Sequence, residues 1–188
     1  RVRQVRRTAA RERPGRDPAL SAPPRYAPGR AFPPYAYVPG EHPHPTGDPQ
    51  GHSYRDTPEP PAGYFAPRDW EDNDEYLFGV DLYNSGYLWE AHEAWESLWH
   101  AAKHDGLQAE FLQGLIQCAA AALKVRMKQP AGVVKLAGHG LGRLARVADQ
   151  TRGEFMGLDV RAFVDAFRAF AESAPTDYEA RPRIELSR

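Results

Sequence analysis

The sequence predicts an all-α fold: a compact array of about five helices around a central buried helical hairpin, preceded by a long irregular proline-rich extension. Three observations carry this. Apolar residues recur at spacings of three and four from about residue 76 onward. Glycine, proline and Asx residues punctuate that pattern at intervals suited to short interhelical turns. Fifteen of the 18 prolines lie before residue 68, so the breakers are concentrated outside the periodic region.

The 188 residues divide at these composition changes. Residues 1–16 carry seven arginines and one acid and read as a basic, disordered arm. Residues 17–68 are rich in Pro, Gly, Tyr and His without a helical period. Such a segment buries too little apolar surface to offset its ordering entropy unless it lies on a folded neighbour. The run Pro33-Pro34-Tyr35-Ala36-Tyr37-Val38-Pro39-Gly40 is the part best suited to dock, because two tyrosines and a valine can fill a groove while the prolines limit the entropy lost. Residues 69–173 are the helical domain, and 174–188 read as a C-terminal tail.

Within the domain, acids at Asp69, Glu71, Asp72, Asp74 and Glu75 suit the positive end of a helix dipole. Tyr76, Leu77, Val80 and Tyr83 continue that first helix. Asn84-Ser85-Gly86 stops it, with Gly86 a natural left-handed cap. A second helix is expected over about Tyr87 to Ala102, a turn at His104-Asp105-Gly106, and a third helix over about Leu107 to Lys128. The third is apolar on most sides and should be the buried centre. Gln129-Pro130 breaks it. A fourth helix runs from Pro130 to about Asp149, and Asp159 caps a fifth whose Val160, Phe163, Val164, Phe167 and Phe170 form a narrow stripe.

Charge and composition exclude several function classes. The formal net charge is −1, with no global signature of a nucleic-acid binder. Phosphate contacts through the arginines of residues 1–16 are the exception, though no base-reading aromatic pattern accompanies them. No apolar run suits a bilayer or a signal peptide. One cysteine, Cys118, forms neither an intramolecular disulfide nor a cysteine zinc site and reads as inert packing. A cytoplasmic setting and no cofactor are expected.

Function must therefore be sought in polar side chains beside apolar helix faces. On the second helix, Leu88, Ala91, Trp95, Leu98 and Trp99 fall in one arc. His92 lies at its edge, with Glu96 one turn later on the same flank. Glu93 sits further round, and Glu90 nearly opposite. On the third helix Gln113, Gln117 and Lys124 line up, extended by Glu110 and Lys128. Antiparallel packing of the two helices suggests that Gln113 and Gln117 pair with His92 and Glu96, since buried amides need partners. The outcome is a structural polar network, a third-helix stripe that faces water, or a small pocket lined by His92, Glu93, Glu96, Gln113 and Gln117.

The string His92-Glu93-Ala94-Trp95-Glu96 is near the helical zinc motif His-Glu-x-x-His, but Glu replaces the second His and no third ligand follows at a known spacing. No metal is expected on this basis, with His92 and Glu96 the ligands if one binds. His42, His44 and His52 read as exposed loop residues, the alternative being that they supply the missing ligands if the extension folds over the helices. Gly138-His139-Gly140-Leu141-Gly142 lacks the preceding strand of a phosphate loop.

Leu82-Tyr83-Asn84-Ser85-Gly86-Tyr87-Leu88-Trp89-Glu90-Ala91-His92-Glu93-Ala94-Trp95-Glu96-Ser97-Leu98-Trp99 resembles the first motif of the family known as domain of unknown function 309. Phe111-Leu112-Gln113-Gly114-Leu115-Ile116-Gln117 is similar to its second motif. The resemblance spans about residues 74–172. It implies a small array of about five helices, found in bacteria, archaea and plastid-bearing organisms, with no reaction assigned. The Gly138–Gly142 stretch departs from the family's Gly-Asn pattern. Carried over, the motif residues are Asn84, Glu90, His92, Glu93, Glu96, Gln113 and Gln117. Asn84 can instead cap the first helix, and Glu90 can bond the turn before it.

The expected function is a partner- or small-ligand-binding module using the cluster between the second and third helices. The alternative is a hydrolase-type enzyme, metal-dependent in one version, with Glu93 or Glu96 as general base and His92 as acid or ligand. The partner is a protein or small molecule of unknown identity. Abundant Trp and Tyr are compatible with a homodimer.

Overall fold

Asn73 begins the helical domain by accepting a hydrogen bond from the Tyr76 N–H through its side chain, which satisfies one of the donors a helix start leaves open. The computed structural model describes residues 24–57 and 62–187. The basic arm expected over 1–16 lies outside them. Among the described residues five α-helices carry the fold: α1 (Asp74–Asn84), α2 (Leu88–Ala101), α3 (Gly106–Arg126), α4 (Pro130–Gln150) and α5 (Val160–Glu172). The expected five-helix array is the observed architecture. One start differs. Asp69 falls in a 3-10 segment, Pro67–Asp72, and the α-helix proper opens only after the Asn73 cap.

The remaining boundaries follow from local chemistry. Gly86 adopts φ +84° and ends α1. Asp105 caps α3 through Gln108 N, and Asp159 caps α5 through Ala162 N. Pro130 opens α4, where its missing N–H costs no hydrogen bond. Between α4 and α5 a short antiparallel hairpin pairs β1 (Glu154–Phe155) with β2 (Leu158–Asp159).

The helices pack as neighbours in chain order, α1 on α2, α2 on α3, α3 on α4 and α4 on α5. The α2–α3 hairpin is thus central. Along α3, Phe111, Leu112, Cys118, Ala119, Ala121 and Ala122 are fully buried. Small residues let α4 approach closely. A Cβ at Gly140 would stand 2.9 Å from the Gly114 carbonyl oxygen, closer than an L side chain tolerates.

The described segments on either side of the helices, 24–57 and 173–187, lie on this scaffold. Residues 24–57 contain no helix or strand, yet Val38 and Ala27 are buried. Their anchor is Asp81, an acid at 1% exposure inside α1. Its carboxylate accepts Arg25 Nε at 2.8 Å, Tyr26 N at 2.8 Å and Ala27 N at 2.9 Å. A buried charge needs such full pairing. Phe32 stacks beside Tyr87 and Phe78.

The residues read as a C-terminal tail pack against the helices. Tyr178–Ala180 makes one 3-10 turn, Ile184 is 1% exposed, and Leu186 bridges Leu158 of β2. The physical reason is the apolar pair Ile184 and Leu186, two residues apart and separated by Glu185, which turns one side of an extended segment inward.

Candidate functional site

Helix α2 presents His92, Glu93 and Glu96 together. One donor atom from each lies within 4.8 Å of the others, as positions i, i+1 and i+4 of a helix allow. His92 Nδ1 stands 3.2 Å from Glu93 Oε1, with the side chains 27% and 38% exposed. That approach lacks hydrogen-bond geometry, and His92 Nδ1 is buried without a partner. Among the described residues, no lysine or arginine pairs with Glu93 or Glu96, and the group beside Glu93 is the His92 imidazole. Trp99, half-buried one turn beyond Glu96, carries Lys103 Nζ over its ring at 4.4 Å. Trp95 of the same helix is fully buried and belongs to the core.

The bonded pairing expected with the third helix does not form. Among the described residues, no hydrogen bond joins Gln113 or Gln117 to His92 or Glu96. The polar stripe of α3 leans toward α4 instead. The Gln117 Cβ lies 3.1 Å from the position of a Cβ at Gly140, and Glu110 pairs with Arg143 and Arg146 of α4. The close Gly114–Gly140 contact fixes that rotation. Gln117 Oε1 is buried and has no protein partner, and Gln113 is half-buried.

Asn84 and Glu90 sit apart from this cluster. The Asn84 amide donates to Ile184 O and accepts from Ile184 N, each at 2.8 Å. It clamps the C-terminal segment and does not cap α1. Glu90, 6% exposed, accepts Tyr37 N at 2.8 Å and contacts His52 Nε2 at 3.1 Å. Its partners come from the extension, not from the preceding turn.

The histidines expected in an exposed loop are mostly covered. The His52 side chain is 3% exposed, and His42 stacks on Tyr35 with centroids 4.8 Å apart. His44 stays exposed, with its ring against Tyr37 and Trp89. The extension docks through its aromatic rings, which draws the imidazoles under them. Helical periodicity did not single out Asp81 or Ile184. A signal existed for Asp81, a lone acid in the run Leu77-Phe78-Gly79-Val80-Asp81-Leu82-Tyr83, since such an acid requires a partner from elsewhere.

The residues that can hold a cation are therefore His92, Glu93 and Glu96. Two carboxylates and an imidazole suit a divalent ion or a protonated nitrogen group. A tetrahedral metal with bonds of about 2.0–2.2 Å needs donors drawn closer than the 4.8 Å limit of this set.

Fold and site together define a small all-α domain whose second helix carries a His-Glu-x-x-Glu cluster beside half-buried tryptophans. The family model described as Domain of unknown function (DUF309) matches residues 76–136, a stretch that runs from α1 into α4. No curated protein and no solved structure matches the chain. Among the described residues, no helix is long and apolar enough to cross a membrane.

Proposed function

We propose that this domain is a binding module that receives a cationic side chain of a partner protein on α2, through His92, Glu93 and Glu96. The observation that carries the reading is the convergence of three donor atoms within 4.8 Å with no lysine or arginine paired to the two carboxylates. A carboxylate pair without a lysine or arginine partner favours a guanidinium or ammonium group. The module acts in the cytoplasm in this reading.

The test is an amide-shift titration of the full chain with a hexa-arginine peptide. Shifts should concentrate at residues 92–99 and disappear in the Glu93→Gln/Glu96→Gln variant, while the circular dichroism spectrum is unchanged. Equal shifts in that variant would sink the proposal.

A second reading, a metal-dependent hydrolase, is favoured by the buried, unpartnered His92 Nδ1 beside two carboxylates. Glu93 or Glu96 then serves as base. Metal analysis separates the two: stoichiometric zinc, iron or manganese that is lost in His92→Ala supports this second reading.

A further inference from the structure

We infer that Ser53, His52 and Glu90 form a nucleophile, base and orienting carboxylate that hydrolyse activated acyl esters, at a site separate from the His92 cluster. The Ser53 hydroxyl lies 2.8 Å from His52 Nδ1, and His52 Nε2 lies 3.1 Å from Glu90 Oε1. The direction of the protons follows from the acid. An ionised carboxylate only accepts, so Glu90 takes the Nε2–H of the ring. In the neutral ring Nδ1 then carries the lone pair, and the Ser53 hydroxyl must donate to it. That is the polarity a serine nucleophile needs, with its base oriented in turn by a third group. Ser53 is exposed, whereas the side chains of His52 and Glu90 are buried. An acyl donor therefore reaches the hydroxyl from solvent while the base behind it is kept from water.

The surrounding chain fixes all three groups. Asp48 N donates to His44 O at 3.1 Å and Ser53 N to Pro45 O at 3.0 Å, which closes residues 44–54 into a loop. A Cβ at Gly51 would collide with the carbonyl oxygens of His44 and Pro45, so this close return needs glycine just before His52. The Tyr35 hydroxyl accepts His52 N at 3.2 Å, and the Tyr35 ring stands edge-on to the imidazole with centroids 4.7 Å apart. Glu90 is held from the other side by Tyr37 N at 2.8 Å. Positions fixed by such supporting contacts are what acyl transfer requires.

In the reaction, Ser53 Oγ bonds to the acyl carbon as its proton passes to His52 Nδ1. When the tetrahedral adduct collapses, the bond to the leaving alcohol or thiol breaks. The leaving group takes the electron pair and that proton. Water then attacks the acylated serine by the same route, releasing the carboxylic acid and restoring Ser53. The three residues supply a nucleophile, a base and its orientation. The substrates are therefore esters whose leaving group departs readily, aryl esters and thioesters, with small acyl groups that fit at an open hydroxyl.

Hydrolysis of para-nitrophenyl acetate by the full chain tests this. Nitrophenolate release should show a burst, and peptide mass spectrometry should place an acetyl group on Ser53. Ser53→Ala removes only an exposed hydroxyl and should lower the rate at least about tenfold, as should His52→Gln. Glu90 is a positioning residue, so its test reads the ring it orients. Nitrogen NMR of the His52 imidazole should report the Nε2–H tautomer in the wild-type chain. In Glu90→Gln it should report a mixture of tautomers and the rate should fall about tenfold, while the Tyr37 amide stays protected from exchange because the glutamine oxygen still accepts it. Acetyl groups confined to lysines, Ser53 acetylation that persists in His52→Gln, an unchanged rate in Glu90→Gln, or an Nδ1–H tautomer in the wild-type chain overturns the inference.

Discussion

Asn84 and Ile184 exchange two hydrogen bonds of 2.8 Å, the amide nitrogen donating to the carbonyl oxygen and the amide oxygen accepting from the N–H. One side chain thus does what a neighbouring β-strand would do, and it ties the last helix-free segment to the end of α1. Beside it, Arg181 donates to the carbonyls of Tyr83 and Tyr178, and the Tyr83 hydroxyl donates to Pro182 O at 3.0 Å.

Replacing Asn84 by Ala should release this clamp. Both Ile184 backbone groups would be left buried without partners, each costing about 1–3 kcal/mol. The expected loss is about 2–3 kcal/mol in urea unfolding, with faster proteolysis after residue 173. Asn84→Asp should destabilise as well, because a carboxylate cannot donate to the Ile184 carbonyl.

Glu90→Ala should free the extension without unfolding the helices. Its carboxylate is the common acceptor for Tyr37 N and His52. Hydrogen exchange at the Tyr37 amide should accelerate at least about tenfold, the equivalent of about 1.4 kcal/mol. Exchange in the middle of α3 should stay as slow as in the parent. An unchanged Tyr37 rate would show that Asp81 alone holds the segment.

Gly140→Ala should destabilise despite the better helix propensity of alanine. The new methyl would lie 2.9 Å from Gly114 O and 3.1 Å from both Cys118 Sγ and Gln117 Cβ. Overpacking of this kind costs about 1–3 kcal/mol, more than the helix-propensity gain of about 1 kcal/mol. A lowered thermal midpoint checks it.

Stability should fall at alkaline pH. Complete burial raises the ionisation of Tyr76 and Tyr83 above the ordinary phenol value of 10.0. Burial also raises the Cys118 thiol above 9.0. In the unfolded chain these groups titrate at their ordinary values. The folded state therefore holds more protons above those values. Their stabilisation is full below pH 9 and is lost as pH climbs through 10 toward the raised folded values. Each tyrosine removes about 1.4 kcal/mol per pH unit in that window. Unfolding curves should show the decline, and the last phenols should ionise only as the chain unfolds.

Much of the helical framework was legible because periodicity and caps are local. Gly86, Asp105, Pro130 and Asp159 act through their own or adjacent backbone groups, so their meaning survives without tertiary context. The grouping of His92, Glu93 and Glu96 was legible for the same reason, since helix geometry alone brings those positions together.

What tertiary structure decided was everything that depends on helix rotation and on long-range partners. The stripe of Gln117 and Glu110 turned toward α4 because Gly114 and Gly140 let those backbones meet, and no helical wheel reports which neighbour a face will find. Asn84 and Ile184 are 100 residues apart, and Asp81 waits for Arg25 from 56 residues upstream. A buried acid or amide announces that it needs a partner. Only the packed chain specifies which one, because desolvation sets the need locally while the supply comes from wherever the fold brings a matching group.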